Sequence, residues 1–296
     1  MKKFIVDHLP DFFVRIFAKP YVSGDSLEKG IKKVDELWNN KGLSSTLDLL
    51  GEAVYDKAGV EANVELYLKV IDQVKGRKYV TISMKPSSLG YHENYEYCLA
   101  NIDRLLTNAD ENGINITLDM EDHTFTDDTL RLYRELLAKH PTFGTVLQSR
   151  LFRTDKDIEN LKHLRGRIRI CIGIYIEKED VALQNKADMK IKMLENAETL
   201  VKNGFYVEFA THDQNTIREF LAKIDENGWT KEQVEFQQLL GVPMSKLQKE
   251  ILEKGFVDRL YVPFAVGWKN ATPYLKRRLA NNPRMAFYVI KHMFTR

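Results

Sequence analysis

The chain has 296 residues, of which 44% are hydrophobic and 29% are charged, as in an ordinary globular protein. Its 44 basic and 42 acidic residues leave a formal charge of only +2, and the basic residues are dispersed, which argues against a nucleic-acid-binding protein. No apolar run approaches the roughly 20 residues of a spanning helix. The two cysteines, Cys98 and Cys171, match no zinc or disulfide spacing, so we expect buried thiols in a cytoplasmic protein.

Residues 1–40 are predicted to be helical, with a phenylalanine-rich stripe and a few basic side chains. This segment permits two interpretations. It could lie on a membrane surface as a peripheral contact, or it could pack against the rest of the protein. Asp7 and Asp11 oppose an anionic surface, which favours packing, so we expect an N-terminal helical segment (1–40) on a larger domain (41–296).

Eight short, apolar, β-rich segments follow, and most of them precede an amphipathic helical pattern. Strand–helix alternation predicts a parallel sheet, and eight repeats in roughly 250 residues favour a closed (β/α)8 barrel over an open sheet. No G-x-G-x-x-G follows an early strand, which weakens the dinucleotide-fold alternative. The predicted strands are residues 46–50, 79–84, 114–118, 144–147, 168–172, 205–209, 234–236 and 260–262.

Polar side chains follow these strands, at the end of a barrel where catalytic groups collect. Each also has a structural interpretation: Asp119 could be a helix N-cap, Asp213 more readily so, and His212 could be a hydrogen-bonded core histidine. Asp119, Glu121, His123 and His212 could together suggest a metal, but they fit no tight ligand motif, so no metal site is expected. The polar groups are Glu52, Lys85, Asp119, Gln148, Tyr175, Thr211, His212, Asp213, Gln237 and Tyr261.

The last predicted helix begins at Thr272, a candidate N-cap followed by Pro273 at the first helical position. Tyr274 then lies one turn from Arg277 and Arg278, so a phenol and two guanidiniums can face one cavity. Two adjacent guanidiniums can bind a small carboxylate bidentately. Taken alone, the same residues could form a solvated basic helix face.

Ordered motifs from about residue 40 to the end resemble the proline dehydrogenase family. They are LLGEAV at 49–54, MKPSSLG at 84–90, ITLDMED at 116–122, VLQSRLFRT at 146–154, RICIGIY at 169–175, ATHD at 210–213, EFQQLLG at 235–241 and YLKRRLANNP at 274–283. The resemblance, to the monofunctional type, implies a distorted (β/α)8 barrel with non-covalent FAD. It also implies oxidation of L-proline to Δ1-pyrroline-5-carboxylate and transfer of electrons to a membrane quinone.

The resemblance also implies roles for individual residues. Asp119 would be the active-site aspartate, and Arg169 would lie near the flavin N5. Glu52 would pair with the first arginine as a gate over the substrate. The carboxylate-binding residues would be Lys85, Arg277 and Arg278. The ring-contacting residues would be Tyr175, Leu239, Tyr261 and Tyr274. The FAD-contacting residues would be Met120, Gln148, Arg169, Ile172, Gly173, Ile174, Thr211 and His212.

Three positions depart from the family pattern: Ile172 replaces a usual lysine, Ile174 an alanine and Asn281 a glutamate. Three alternatives to a proline dehydrogenase therefore stay open. The chain could oxidise another cyclic secondary amino acid, or it could bind flavin without turnover. It could also be a barrel lyase that uses Lys85 as a Schiff-base nucleophile.

Overall fold

The computed structural model describes residues 19–51, 54–268, 271–272 and 274–276. Eight parallel strands form a closed barrel in chain order, with β1 pairing β8 to complete the ring. The predicted (β/α)8 fold is therefore confirmed. The strands are β1 Ser44–Leu50, β2 Val80–Met84, β3 Ile116–Leu118, β4 Gly144–Gln148, β5 Arg167–Cys171, β6 Tyr206–Ala210, β7 Val234–Leu239 and β8 Asp258–Ala265.

Helices surround the barrel, and none of those described combines the length and hydrophobicity that a bilayer crossing demands. The apolar core lies between them and the outward faces of the strands. The described helices are α1 Leu27–Lys41, α2 Lys57–Val74, α3 Tyr95–Glu111, α4 Thr126–Leu137, α5 Thr154–Leu161, α6 Lys186–Lys202, α7 Gln214–Asn227 and α8 Ser245–Glu253.

Helix α1 covers the seam where β1 meets β8. Ser26 caps its N-terminus by accepting a hydrogen bond from the Lys29 amide. Gly30 faces the seam so closely that a Cβ there would lie 3.3 Å from Phe264 and 3.5 Å from Leu47. A side chain at this position would push the helix away from the barrel. Of the predicted N-terminal segment (1–40), the structure describes residue 19 onward. Residues 1–18 lie outside the described part.

The last helix starts earlier than the sequence predicted. Trp268, Ala271 and Thr272 are already helical, and the Thr272 hydroxyl donates to the Trp268 carbonyl at 3.2 Å. The interpretation of Thr272 as an N-cap is therefore wrong. A threonine inside a helix can bond to the carbonyl four residues back, and this bond competes with capping.

A polar cluster lies under helix α8, outside the barrel lumen. Gln248 donates to Gln238 at 2.9 Å, and Gln238 donates to the Asp258 carboxyl group at 3.4 Å. Burial, together with the charge of Glu235, raises the pKa of Asp258 to about 8. Asp258 is therefore mostly neutral at pH 7 in the folded protein but ionised in the unfolded chain.

This difference predicts that Asp258→Asn stabilises the protein increasingly as pH rises from about 4 to about 8. In that window the unfolded wild-type chain loses a proton that the folded protein retains, so the wild-type free energy of unfolding falls. The shift sets an upper limit of about 4 kcal/mol at pH 7. Denaturant unfolding at several pH values measures it, with exposed Glu253→Gln on α8 as control. A variant whose free energy of unfolding equals that of the wild type at every pH would contradict the raised pKa of Asp258.

Candidate functional site

Side chains from four strand ends meet at the carboxyl end of the barrel. Lys85 follows β2 and Asp119 follows β3, while Arg169 and Tyr261 point inward from β5 and β8. Their convergence follows from the fold, because parallel strands of a closed barrel bring their carboxyl ends to one mouth. Residues separated by up to 176 positions in the chain thereby contact one another.

The carboxylate of Asp119 is the centre of this group. Its Oδ1 accepts hydrogen bonds from Arg169 at 2.7 Å and from the Ser83 hydroxyl at 3.0 Å. Its Oδ2 accepts from the Tyr261 hydroxyl at 2.6 Å and from Lys85 at 3.2 Å. Both oxygens are saturated by donors, two of them cationic, so this buried carboxylate is fully compensated.

The charges of this group stabilise one another. Burial alone would raise the pKa of Asp119, but Lys85 and Arg169 hold that pKa below its usual value. Burial alone would lower the pKa of Lys85, but the charge of Asp48, together with Tyr261 and Asp119, raises it well above the ordinary value. Lys85 is therefore an ammonium ion and Asp119 a carboxylate at neutral pH.

Asp48 is a member of this site that the sequence analysis missed. It lies within β1, is 1% exposed, and accepts a hydrogen bond from Lys85 at 2.5 Å. Its apolar neighbours Leu47 and Leu49 made the segment look like a plain buried strand. The available signal was the alternation of the strand, which turns Asp48 inward while Leu47 and Leu49 face the helices.

A second ionic layer lies deeper in the lumen and supports Arg169 from below. Arg169 Nε donates to Gln237 at 2.6 Å and lies 3.4 Å from Glu208. Arg259 pairs with Glu235, whose pKa falls to about 2 because this pairing outweighs its burial. In all, four cations (Lys85, Arg167, Arg169 and Arg259) face four carboxylates (Asp48, Asp119, Glu208 and Glu235). The formal charges of these eight groups therefore cancel, while burial raises the pKa of Asp48 above its usual value.

Gln148 and Gly173 form a ledge beside this network. Gln148 Nε2 donates to the Glu121 carbonyl at 2.6 Å, which fixes the orientation of the amide. Its Oε1 is buried and has no hydrogen-bond partner among the described residues. Gly173 has φ 103°, and a Cβ there would lie 2.3 Å from that oxygen. Only glycine can pack this closely against the amide, because any side chain at this position would collide with the acceptor.

The loop between β5 and α6 forms one wall of the mouth. Ile172 packs against the core, Tyr175 is half-buried, and Ile174 is 44% exposed. Glu177, which the sequence analysis did not identify, is 5% exposed and binds both the backbone N–H and the ring Nδ1 of His123. This contact joins the β5–α6 loop to the loop after β3.

The remaining predicted residues lie at the ends of neighbouring strands. Met120 and Thr211 are buried, and His212 Nε2 accepts a hydrogen bond from the Leu239 amide at 2.8 Å. Asp213 caps α7 by accepting from the Thr216 amide, as predicted. The four acids and histidines considered for metal binding are engaged in separate contacts: Asp119 with cations, Glu121 with Ser87, His123 with Glu177, and His212 with Leu239.

The start of the last helix lies at the same mouth. Leu275 and Ala271 are fully buried in a small apolar cluster with Leu50 and Ala265, the last residues of β1 and β8. Tyr274 packs against this cluster. Arg277 and Arg278 lie outside the described residues, as does Glu52, but the chain enters that segment at the carboxyl end of the barrel.

Comparison with known proteins identifies close similarity over nearly the whole chain. The proline dehydrogenase family model matches residues 30–288. A proline dehydrogenase from Deinococcus radiodurans is 35% identical over 284 residues, covering 93% of this chain and 89% of that protein. Proline dehydrogenase 1 from Bacillus subtilis subsp. natto is 31% identical over 280 residues, covering 94% and 90%.

Solved structures agree on the fold. Proline utilization A (PutA) from Bdellovibrio bacteriovorus, inactivated by N-propargylglycine, superposes with a TM-score of 0.81 at 22% identity. The match covers 89% of this chain but only 32% of that longer one.

The Asp119 network predicts a large stability cost for its disruption. Asp119→Asn should lower the free energy of unfolding by about 3 kcal/mol, the lower end for a broken buried pair, because buried Arg169 and half-buried Lys85 lose the counter-ion they share but keep Glu208 and Asp48. Asp225→Asn is a matched control, since its partner Lys254 lies at the surface and such pairs contribute at most about 1 kcal/mol. Denaturant unfolding compares the two. Equal effects of both substitutions would contradict the central role of Asp119.

Proposed function

The chain belongs to the proline dehydrogenase family, whose members oxidise proline in proline catabolism, and we propose that it converts L-proline to Δ1-pyrroline-5-carboxylate with non-covalently bound FAD. The observation that supports this most is the convergence of Lys85, Asp119, Arg169 and Tyr261 at one mouth of the barrel. These are the residues for which the family resemblance implied substrate and flavin contacts.

The charge balance of the lumen supports two further arginines as the carboxylate clamp. In the upper layer the charges of Lys85 and Arg169 are matched by Asp48 and Asp119, so the described residues offer a small anion little surplus charge. A carboxylate that enters a low-dielectric site needs an uncompensated cation. We assign this part to Arg277 and Arg278, with Glu52 as the gate residue and Lys85 as a third donor.

The ledge of Gln148 and Gly173 fits a flavin. The free Gln148 Oε1 is an acceptor for an imide N–H, and glycine at position 173 puts no side chain beside it. One of the guanidinium nitrogens of Arg169, Nη2, is also buried without a partner among the described residues. Met120, Ile172, Ile174, Thr211 and His212 complete the proposed cofactor contacts.

The chain's own residues orient the substrate, bind its carboxylate and favour loss of its ammonium proton. Tyr175, Leu239, Tyr261 and Tyr274 contact the pyrrolidine ring, and the cations hold the carboxylate, which fixes the substrate carbon for transfer. Bound FAD supplies the hydride acceptor. Ionised Asp119 keeps Lys85 and Tyr261 in place, and Arg169 presents its free nitrogen to the reaction site. The positive charge of the clamp favours loss of the proton from the substrate's secondary ammonium.

Tyr261 also bears on substrate choice. Its hydroxyl is fixed by Asp119 and lies 3.4 Å from Lys85, so the ring cannot easily turn away from the site. The family resemblance implies that a tyrosine at this position crowds a ring hydroxyl, so we expect proline rather than 4-hydroxyproline as the substrate. Another unhydroxylated cyclic secondary amino acid is the alternative substrate.

The lyase alternative is disfavoured by the state of Lys85. A Schiff-base nucleophile needs a neutral amine, whereas Asp48 and Asp119 hold this side chain as an ammonium. Borohydride trapping with carbonyl substrates that labels Lys85 would revive this alternative.

The electron acceptor is proposed to be a quinone, and the protein is proposed to be cytoplasmic with at most a peripheral membrane contact. Quinones are apolar and reside in the bilayer, so a peripheral contact would bring the barrel mouth to its acceptor. Co-sedimentation with anionic vesicles tests the contact, and protein that stays in the supernatant argues against it.

We predict that the purified protein is yellow and that L-proline bleaches its flavin absorbance without oxygen. A soluble quinone should then restore the absorbance. Spectra before and after each addition measure both steps, with D-proline as the control ligand. Protein that takes up no FAD contradicts the proposal, and bound flavin that proline leaves coloured indicates a relative without proline turnover.

Arg277→Met or Arg278→Met should raise the KM for proline by roughly 100-fold or more, because each removes a charge-assisted bond to the carboxylate. Steady-state kinetics with a dye acceptor measure this effect. Lys249→Met is the control, since this lysine is an exposed surface cation on α8. A KM within a few-fold of the wild type for both arginine variants would refute the clamp.

A further inference from the structure

Arg150 lies two residues beyond β4, next to the Gln148–Gly173 ledge. Its Nη1 donates to the Tyr175 carbonyl at 2.5 Å and its Nη2 to the Leu183 carbonyl at 3.3 Å. Its backbone N–H also donates to the Ile172 carbonyl at 3.2 Å. The side chain thus bonds to the β5–α6 loop at two places, one near its start and one near its end.

Arg150 is unusual among the arginines in its charge partners. The other described arginines that are at least partly shielded from solvent all pair with a carboxylate: Arg77 with Asp35, Arg153 with Asp127 and Asp157, Arg167 with Glu208, Arg169 with Asp119, and Arg259 with Glu235. Arg150 is half-buried, yet no described carboxylate forms an ion pair with it.

The missing counter-ion has few other sources in this chain. Only three acidic side chains, Asp7, Asp11 and Glu52, lie outside the described residues. Within the loop, Glu177 is already bound to His123 through both of its oxygens. A half-buried guanidinium bonded only to neutral carbonyls keeps its full positive charge, and its Nε is buried without a partner among the described residues.

The Arg150 side chain reaches the ledge of the proposed flavin site through its stem. A Cβ at Gly173 would lie 3.0 Å from Arg150 Cδ and 2.3 Å from Gln148 Oε1, so both side chains pack against the Gly173 backbone. A free acceptor beside a free cation matches the pyrimidine edge of a flavin, which presents an imide N–H next to oxygen and nitrogen atoms that gain negative charge on reduction. A pyrophosphate offers no donor to Gln148, so it fits this pair less well.

We propose that Arg150 supplies the uncompensated positive charge that stabilises the reduced flavin at its pyrimidine edge, an inference that rests on the proposed function. Arg169 is less suited to this role, because Asp119 and Glu208 already offset its charge. A cation at short range in a shielded site acts strongly on a developing anion. Arg150 therefore raises the flavin reduction potential, and its backbone-directed bonds fix the loop that bears Tyr175.

The experiment compares neutral and charged replacements of Arg150 in the flavin-loaded protein. Arg150→Gln and Arg150→Met remove the charge, whereas Arg150→Lys keeps it but loses the guanidinium bonds to Tyr175 and Leu183. Arg153→Gln is the matched control, because that nearby arginine is neutralised by Asp157 and Asp127. The readouts are the flavin midpoint potential, the dissociation constant for sulfite, which adds to flavins as an anion, and the affinities for FAD and riboflavin.

The neutral variants should shift the potential to more negative values and weaken sulfite binding roughly tenfold or more. Arg150→Lys and Arg153→Gln should stay near the wild type. Because the lysine and glutamine variants share the lost loop bonds, a difference between them reports charge even if both are less stable. Equal potentials for the two variants overturn the proposal.

A pyrophosphate-binding role for Arg150 would give a different result. If neutral variants weaken FAD binding while leaving riboflavin affinity and the potential unchanged, Arg150 binds the pyrophosphate and the proposal fails. If the wild-type protein binds no flavin, the proposed function fails instead. A flavin-binding wild type whose potential is insensitive to Arg150→Gln refutes only this inference.

Discussion

Asp119 is the residue on which the interior of this barrel depends, because it neutralises two cations that the fold forces into one low-dielectric space. Lys85 and Arg169 arrive from β2 and β5, and each would be costly to bury alone. Tyr261 and Ser83 complete the coordination of the carboxylate. Since all four partners bind the same two oxygens, none can move without disturbing the others, and the mouth is pre-organised before a substrate enters.

The ionic lumen also limits which residues can attract an anionic substrate. An ordinary barrel of this type fills its lumen with layers of branched apolar side chains. Here matched charges replace them, so the described lumen is rigid and neutral, and attraction for an anionic substrate must come from elsewhere. The last helix is the source that we propose, since Leu275 and Ala271 anchor its start beside the ends of β1 and β8.

The two arginines Arg169 and Arg150 thus have different proposed functions. Arg169 is a compensated cation whose role depends on geometry, because Asp119, Glu208 and Gln237 fix its position. Arg150 is bonded to backbone carbonyls and has no carboxylate partner among the described residues, so we propose that its charge acts on whatever occupies the ledge. Ile172 and Ile174, which depart from the family pattern, lie on the same loop that Arg150 bonds to. Arg150 and these two departures therefore belong to one region near the proposed flavin.

The sequence by itself determined the eight β/α repeats and the choice of Lys85, Asp119 and Tyr261, because apolar periodicity and the polarity of strand ends are local properties, whereas Arg169 came only from the family resemblance. It also found Asp213 as a cap. Only the tertiary structure decided which side chains pair with these residues. Barrel closure sets β1 against β2 and β8, which brings Asp48 to Lys85, and the packing of the β5–α6 loop leaves Arg150 without a carboxylate from the part of the chain that the structure describes. Such pairings depend on distances between segments far apart in the chain, which no local pattern encodes.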